Sequence, residues 1–294
     1  MNHDLLTALI AGLGSMVGWG SADFFAKKTI DVLGDLKTLF WAQLIGVVPL
    51  LIIFAVHPKV SHLSHLDPLY LILFGIFSAV SYVPLYSGFG KGEVSLLSPI
   101  FASYSVVVVL LSAIFLHEHI APHSIVAILV VFAGILLISS DPGELRSSFK
   151  HINQRVKGIP DVAAAMLMYS FWLFFFDKFL QNRDWVFPLL VIRIIAVVTL
   201  FIYARARKIS LRVGDPGLWK FLACIGVFDV MAFAFVSYGF SNSSHTSVIA
   251  VLSATFSVPT IILAALFLKE KIRPYQIAAI ALILSGVALV ALNI

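Results

Sequence analysis

From residue 5 to residue 293 the chain passes through one apolar stretch after another, most of them about 20 residues long. That is the length a helix needs to cross a ~30 Å hydrocarbon core. Ten such spans can be marked out, at roughly 5–26, 37–56, 68–88, 94–116, 122–140, 159–179, 186–204, 218–240, 246–268 and 274–293. Unbroken runs argue for helices, because a membrane barrel alternates apolar and polar residues in shorter segments. Lipid also leaves an unpaired backbone no other way to satisfy its polar groups. Only 12% of the residues are charged, about half of the ~25% usual in soluble domains, and mean hydropathy is +1.01. The expected fold class is an all-α integral membrane protein with ten transmembrane helices. The first span lacks a basic leader and is too long for a cleaved signal. The lone Cys224 allows no intrachain disulfide.

The spans are organised as a duplication. FLHEHIAP at 115–122 returns as FLKEKIRP at 267–274, and at the same offset Tyr86, Ser95, Ala113, Ile125 and Gly134 match Tyr238, Ser247, Ala265, Ile277 and Gly286. Near the start the offset is 150, pairing Met16 with Met166 and Lys28 with Lys178, and setting Gln43 opposite Arg193. The reading is a first five-helix repeat at 1–140, a polar cytoplasmic linker at 141–158 and a second repeat at 159–294. Five is odd, so the second repeat enters the membrane from the opposite side. The result is an inverted repeat around a central cavity, with a site near midplane between the halves.

Charge orients the molecule. Lys59, Lys178 and Arg183 fall on the face that holds the N-terminus, and Arg193 falls inside the membrane. All the other Lys and Arg residues, from Lys27 and Lys28 to Lys271 and Arg273, fall on the opposite face. Basic loops stay cytoplasmic, so both termini are expected outside, in a multi-pass protein of the cell membrane. The His-to-Lys exchange between the two octets then marks opposite sides of one bilayer.

WGSADFFAKK (19–28), GKGEVSLLSPIFASYSVVVVLLSAIFLHEHIAP (90–122) and SVIAVLSATFSVPTIILAALFLKEKIRP (247–274) resemble the EamA-type permeases of the drug/metabolite transporter superfamily. The resemblance covers nearly the whole chain. It implies a ten-helix basket with a cavity lined by the first, third, fourth, sixth, eighth and ninth helices, and transport of small metabolites such as amino acids. It also implies cytoplasmic termini, against the charge distribution.

Asp229 lies about 11 residues, hence roughly 16 Å, into its span. A centred carboxylate costs about 2.5–3.5 kcal/mol on the insertion scale and should face a partner or water. Arg193 enters from the other face to a similar depth on the preceding helix. Two readings stay open: a structural ion pair, or a working pair in which Arg193 binds an anionic group and Asp229 carries a coupling proton. Asp23 with Lys27, four apart on one face, and Asp177 with Lys178 are gate candidates at opposite mouths, or plain interfacial anchors. Trp19, Tyr82, Tyr86, Tyr104, Tyr169, Trp172 and Tyr238 lie on helices expected to line the cavity, where their rings would hold a partly apolar solute. Gly14 and Gly18 form a close-packing step, and Pro84, Pro99 and Pro259 are expected to interrupt helices three, four and nine. Glu118 and Glu270 precede Pro122 and Pro274 as helix-start signals.

The outer-face histidines, among them His57, His62, His65, His117, His119, His123 and His245, have no Cys or acidic cluster beside them, so no metal and no cofactor is expected. The basic loops are topology signals, so no nucleic acid is expected either. Without a GxxxxGK[ST] loop there is no ATP motor. The expected function is secondary transport of a small organic metabolite, with lipid and the solute as partners and protons as a coupling ion for Asp229. The alternatives are a non-transporting sensor or scaffold, or an intramembrane enzyme. The enzyme is disfavoured because Asp229 shows no second embedded carboxylate and no GxSxG or HExxH occurs.

Overall fold

The apolar runs fold into helices. The computed structural model describes residues 3–60, 64–91, 97, 100–115, 122–139, 158–267 and 274–292, and every regular element among them is helical. The helices are α1 (His3–Leu33), α2 (Asp35–Val56), α3 (Asp67–Lys91), α4 (Tyr104–Phe115), α5 (Pro122–Ser139), α6 (Ile159–Leu180), α7 (Val186–Ala206), α8 (Trp219–Asn242), α9 (Thr246–Ser253), α10 (Ser257–Phe267) and α11 (Pro274–Leu292). Among the described residues six helical segments are long and apolar enough to span a membrane: α1, α2, α3, α6, α7 and α8 with the turn that precedes it. The polar linker up to residue 157, Pro99, Glu118 and Glu270 lie outside the described residues, and the fourth span is described only in part. Large apolar side chains such as Ile52, Val56, Leu129, Ile202 and Leu266 are exposed on the outer surface, as expected where lipid is the solvent.

Two proline expectations are corrected. Pro84 does not interrupt α3, which continues unbroken to Lys91. Pro259 is the third residue of α10, and the interruption is the 3-10 turn Ala254–Phe256 just before it. A proline in the first turn has no intrahelical N–H to lose, so the break falls on its N-terminal side. Pro122 and Pro274 open α5 and α11 as expected. Gly34 is the sole residue between α1 and α2, and its φ of 86° is one that side chains avoid.

Glycines set the helix crossings, and the crossings come in matched pairs. A Cβ on Gly75 of α3 would lie 2.5 Å from Ile195 Cβ and 3.0 Å from Ile192 O of α7. A Cβ on Gly226 of α8 would lie 3.0 Å from Ile45 Cβ and 2.7 Å from Ala42 O of α2. Likewise Gly134 of α5 meets Ile283 and Ala279 O of α11, while Gly286 of α11 meets Val131 and Ala127 O of α5. Gly14 and Gly18 do seat α1 on α8, against the Phe235 ring and Phe228 O. Where α2 crosses α7, Gln43 and Arg193, the residues that the 150 offset pairs, touch each other.

Candidate functional site

The helices converge on a central cavity walled by Trp19, Ala22 and Asp23 of α1, Tyr82, Leu85 and Tyr86 of α3, Phe101 and Tyr104, Tyr169 of α6, Asp229 of α8, and Phe256 in the turn before α10. These fall in the helices that the family resemblance implies should line a cavity. Its open volume is about 20 Å³, which accommodates a water molecule and not a metabolite. Aromatic rings fill the remainder. Tyr169 packs edge-on against Tyr104 at 4.9 Å and Tyr82 at 6.0 Å, and Trp19 meets Phe233 at 5.2 Å. Trp19 Nε1 is buried without a hydrogen-bond partner, while the Tyr104 and Tyr169 hydroxyls lie against Ser253 and Tyr82. Such a group costs about 1–3 kcal/mol, so this closed arrangement holds a donor that a bound molecule would satisfy.

Asp229 sits on the cavity wall with Arg193 behind it. Arg193 is 3% exposed; its Nη1 donates to Asp229 Oδ2 at 2.7 Å and also to Gln43 Oε1. Its guanidinium lies 5.1 Å from the centre of the Phe233 ring, while Nη2 has no hydrogen-bond partner. A charge this deep requires a partner, and the structure supplies a carboxylate and an amide.

Asp23 is a wall residue and not a mouth residue. The span ending at 26 put it one turn from the cytoplasmic end, but α1 continues to Leu33, which places Asp23 about 15 Å from the helix end at 1.5 Å per residue. It faces the same cavity as Asp229. That corrects the expectation that Asp229 has no second embedded carboxylate near it. Among the described residues no cation pairs with Asp23; the Lys27 side chain lies outside them.

Asp177 and Lys178 diverge. Asp177 is fully buried and accepts from Thr246 Oγ1 at 2.8 Å, joining α6 to the start of α9. Lys178 points away into an apolar lateral groove of about 670 Å³ between α3 and α6, beside Tyr70, Phe74, Phe175 and Phe179. The same end of the molecule carries two further cross-links. Arg183 contacts Asp67 at 2.5 Å, and Ser244 N and Oγ donate to Asp4 at 3.1 and 2.7 Å.

Two aromatic assignments do not hold. Trp172 is buried behind the wall, stacked on Tyr169 at 5.7 Å, and its Nε1 donates to Phe74 O at 2.9 Å. Tyr238 is 40% exposed on the outer surface. Sequence reasoning missed Phe101 and Phe256 as wall residues; neither carries a polar signal. Gln43 was legible as the repeat counterpart of Arg193 but not as its partner. Of the histidines, His62, His117 and His119 lie outside the described residues, as does the side chain of His123. His245 Nε2 is 3.6 Å from Asp4.

Among the described residues the fold is helical throughout, with six helices long and apolar enough to cross a membrane and two carboxylates on the wall of a small aromatic cavity, which defines a multi-pass membrane protein. A sequence model of the EamA-like transporter family matches residues 6–140 and 156–292. The chain belongs to this family of drug/metabolite-type membrane transporters, with two copies of its repeat. It is similar to an uncharacterized protein of Methanocaldococcus jannaschii, 27% identical over 136 residues, which are 45% of this chain and 96% of that protein. Less than half of this chain thus spans nearly all of that relative. A solved crystal structure shares the fold at TM-score 0.79 and 16% identity, covering 98% of this chain and 99% of that one.

Proposed function

We propose that the protein is a secondary transporter that moves a small organic metabolite by rocking two inverted five-helix repeats, joined at 141–158, about the central cavity. The observation that carries the reading is the cavity itself. It is walled by residues of both halves, and its walls bear two carboxylates and an unpartnered donor, Trp19 Nε1, where a mere scaffold would be filled by apolar side chains. The matched glycine crossings support the duplicated architecture, and the odd helix number of each repeat supports the inversion. The family consists of transporters, which disfavours the enzyme reading even with Asp23 beside Asp229. The test is exchange of labelled solutes, amino acids first, across proteoliposomes that hold the purified protein. Folded protein with no exchange across a broad panel would favour a sensor or scaffold.

The contact of Asp177 with Thr246, together with the Asp67–Arg183 and Asp4–Ser244 links, closes the end of the cavity expected to face outward. Alternating access requires these links to break. In an Asp177→Asn variant on a Cys224→Ala background, a cysteine at position 104 should react faster with an impermeant thiol reagent added outside. Unchanged reactivity would leave Asp177 a packing residue.

Both termini are expected to be extracytoplasmic, because the basic loops crowd the opposite face. A reporter active only in the cytoplasm, fused after Ile294, should be silent. An active reporter would instead favour the orientation that the resemblance implies.

A further inference from the structure

We infer that the central cavity selects solutes carrying an ammonium or other organic cation. The inference rests on the transport reading in taking this cavity for the substrate site. Two carboxylates face the space, Asp23 and Asp229, and one guanidinium, Arg193, is bonded to the second of them. Among the described residues this leaves the Asp23 carboxyl without a cationic partner on a wall that is otherwise mostly aromatic. A buried charge in apolar surroundings is costly unless paired, and the Asp229 carboxylate on the same wall adds repulsion.

The rest of the wall is what a cation finds favourable. Trp19, Tyr82, Tyr86, Tyr104 and Tyr169 ring the space with π-faces and edges, and a desolvated cation within about 6 Å of such a face is attracted by the ring quadrupole. An anion would face two carboxylates, and Arg193 lies behind Asp229 and is not part of the wall. A neutral solute would leave Asp23 unpaired. A cation offsets the carboxylate charge and faces the rings at once. The present volume is too small for it, so the rings must part on binding. The unpartnered Trp19 Nε1 is then free to meet an acceptor on the solute.

The experiment titrates the purified full-length protein with three probes of similar shape and different charge: benzyltrimethylammonium, its uncharged carbon analogue neopentylbenzene, and phenylacetate. Quenching of tryptophan fluorescence, to which the wall residue Trp19 contributes, reports occupancy. The cation should bind saturably and at least about tenfold more tightly than the other two. Asp23→Asn should remove that preference, while Asp23→Glu, which keeps the charge, should retain most of it; both variants are first checked for a monodisperse folded peak. Equal binding of the neutral analogue, preference for phenylacetate, or a cation preference that survives Asp23→Asn each overturns the inference. The same probes serve as competitors in solute exchange, which separates the two readings. Asp23-dependent cation binding without exchange of any solute would overturn the transport reading and leave the cation site standing. Exchange inhibited only by the neutral or anionic probe would overturn the cation site and leave transport standing.

Discussion

Asp229→Asn alone should sharply reduce the yield of folded protein, and combining it with Arg193→Gln should restore most of that yield. The single change strands a guanidinium that is 3% exposed and leaves it only the Gln43 amide and the face of Phe233. Removing one side of a buried pair typically costs ~3–5 kcal/mol, whereas removing both charges is often near neutral. Gln43→Leu removes a hydrogen bond and no charge, and should cost about 1–3 kcal/mol. Folded yield and thermal midpoint, read by size-exclusion of the detergent-solubilised protein, measure all three variants. Transport then divides the two roles open for Asp229. A carboxylate that carries the coupling proton cannot be replaced, so gradient-driven accumulation should vanish in both the single and the double variant while exchange persists. A carboxylate that serves to neutralise Arg193 is dispensable once Arg193 is gone, and accumulation should return in the double. The contacts favour the second outcome, because Arg193 Nη1 already engages Asp229 Oδ2 at 2.7 Å. Full accumulation in the double variant would eliminate the proton-carrier role, and its loss there with exchange intact would eliminate the purely structural one.

What the sequence made legible is what length, charge and punctuation encode. Apolar runs gave the helices, Pro122 and Pro274 marked helix starts, and the depths of Arg193 and Asp229 predicted their meeting. What it concealed is rotation about each helix axis. A helix apolar on every face has no moment to say which side turns inward, so Trp172 and Tyr238 read as well as Tyr86 and Tyr169. Tyr238 shows the mechanism of the error. Offset 152 pairs it with Tyr86, but the glycine crossings pair Gly75 with Gly226, and 226 lies 151 beyond 75. By that register the counterpart of Tyr86 is Ser237, which is fully buried, and Tyr238 is turned about 100° away from it. A one-residue slip between the repeats, invisible in apolar sequence, moved a tyrosine from the wall to the lipid face. The place of Asp23 was obscured for a related reason. The end of a span was read from the first lysines, Lys27 and Lys28, whereas the helix continues two turns beyond Ala26 to Leu33.

The register of the repeats also predicts a matched pair of large effects. Gly75→Val and Gly226→Val should each markedly lower folded yield, and to a similar degree, although the two residues lie on different helices. Each glycine lets its helix approach a backbone carbonyl, Ile192 O at 3.0 Å for Gly75 and Ala42 O at 2.7 Å for Gly226, measured from the position a Cβ would take. A carbonyl in mid-helix cannot rotate away as a side chain can, so the two helices must separate. Overpacking of this kind costs about 1–3 kcal/mol or more. The separation also acts on the site. Gly226 precedes Asp229 by less than one turn of α8, and Ile192 adjoins Arg193 on α7, so these close approaches set the distance across which the ion pair forms. Gly214, with nothing within 4 Å of its Cβ position and no positive φ, is the control, and Gly214→Val should leave folded yield unchanged. If the α3–α7 and α8–α2 crossings are equivalent parts of an inverted repeat, the two valine variants should lose thermal midpoint together. Sensitivity at one glycine and tolerance at the other would mean that the crossings bear different loads, and would count against the repeat as the unit that moves.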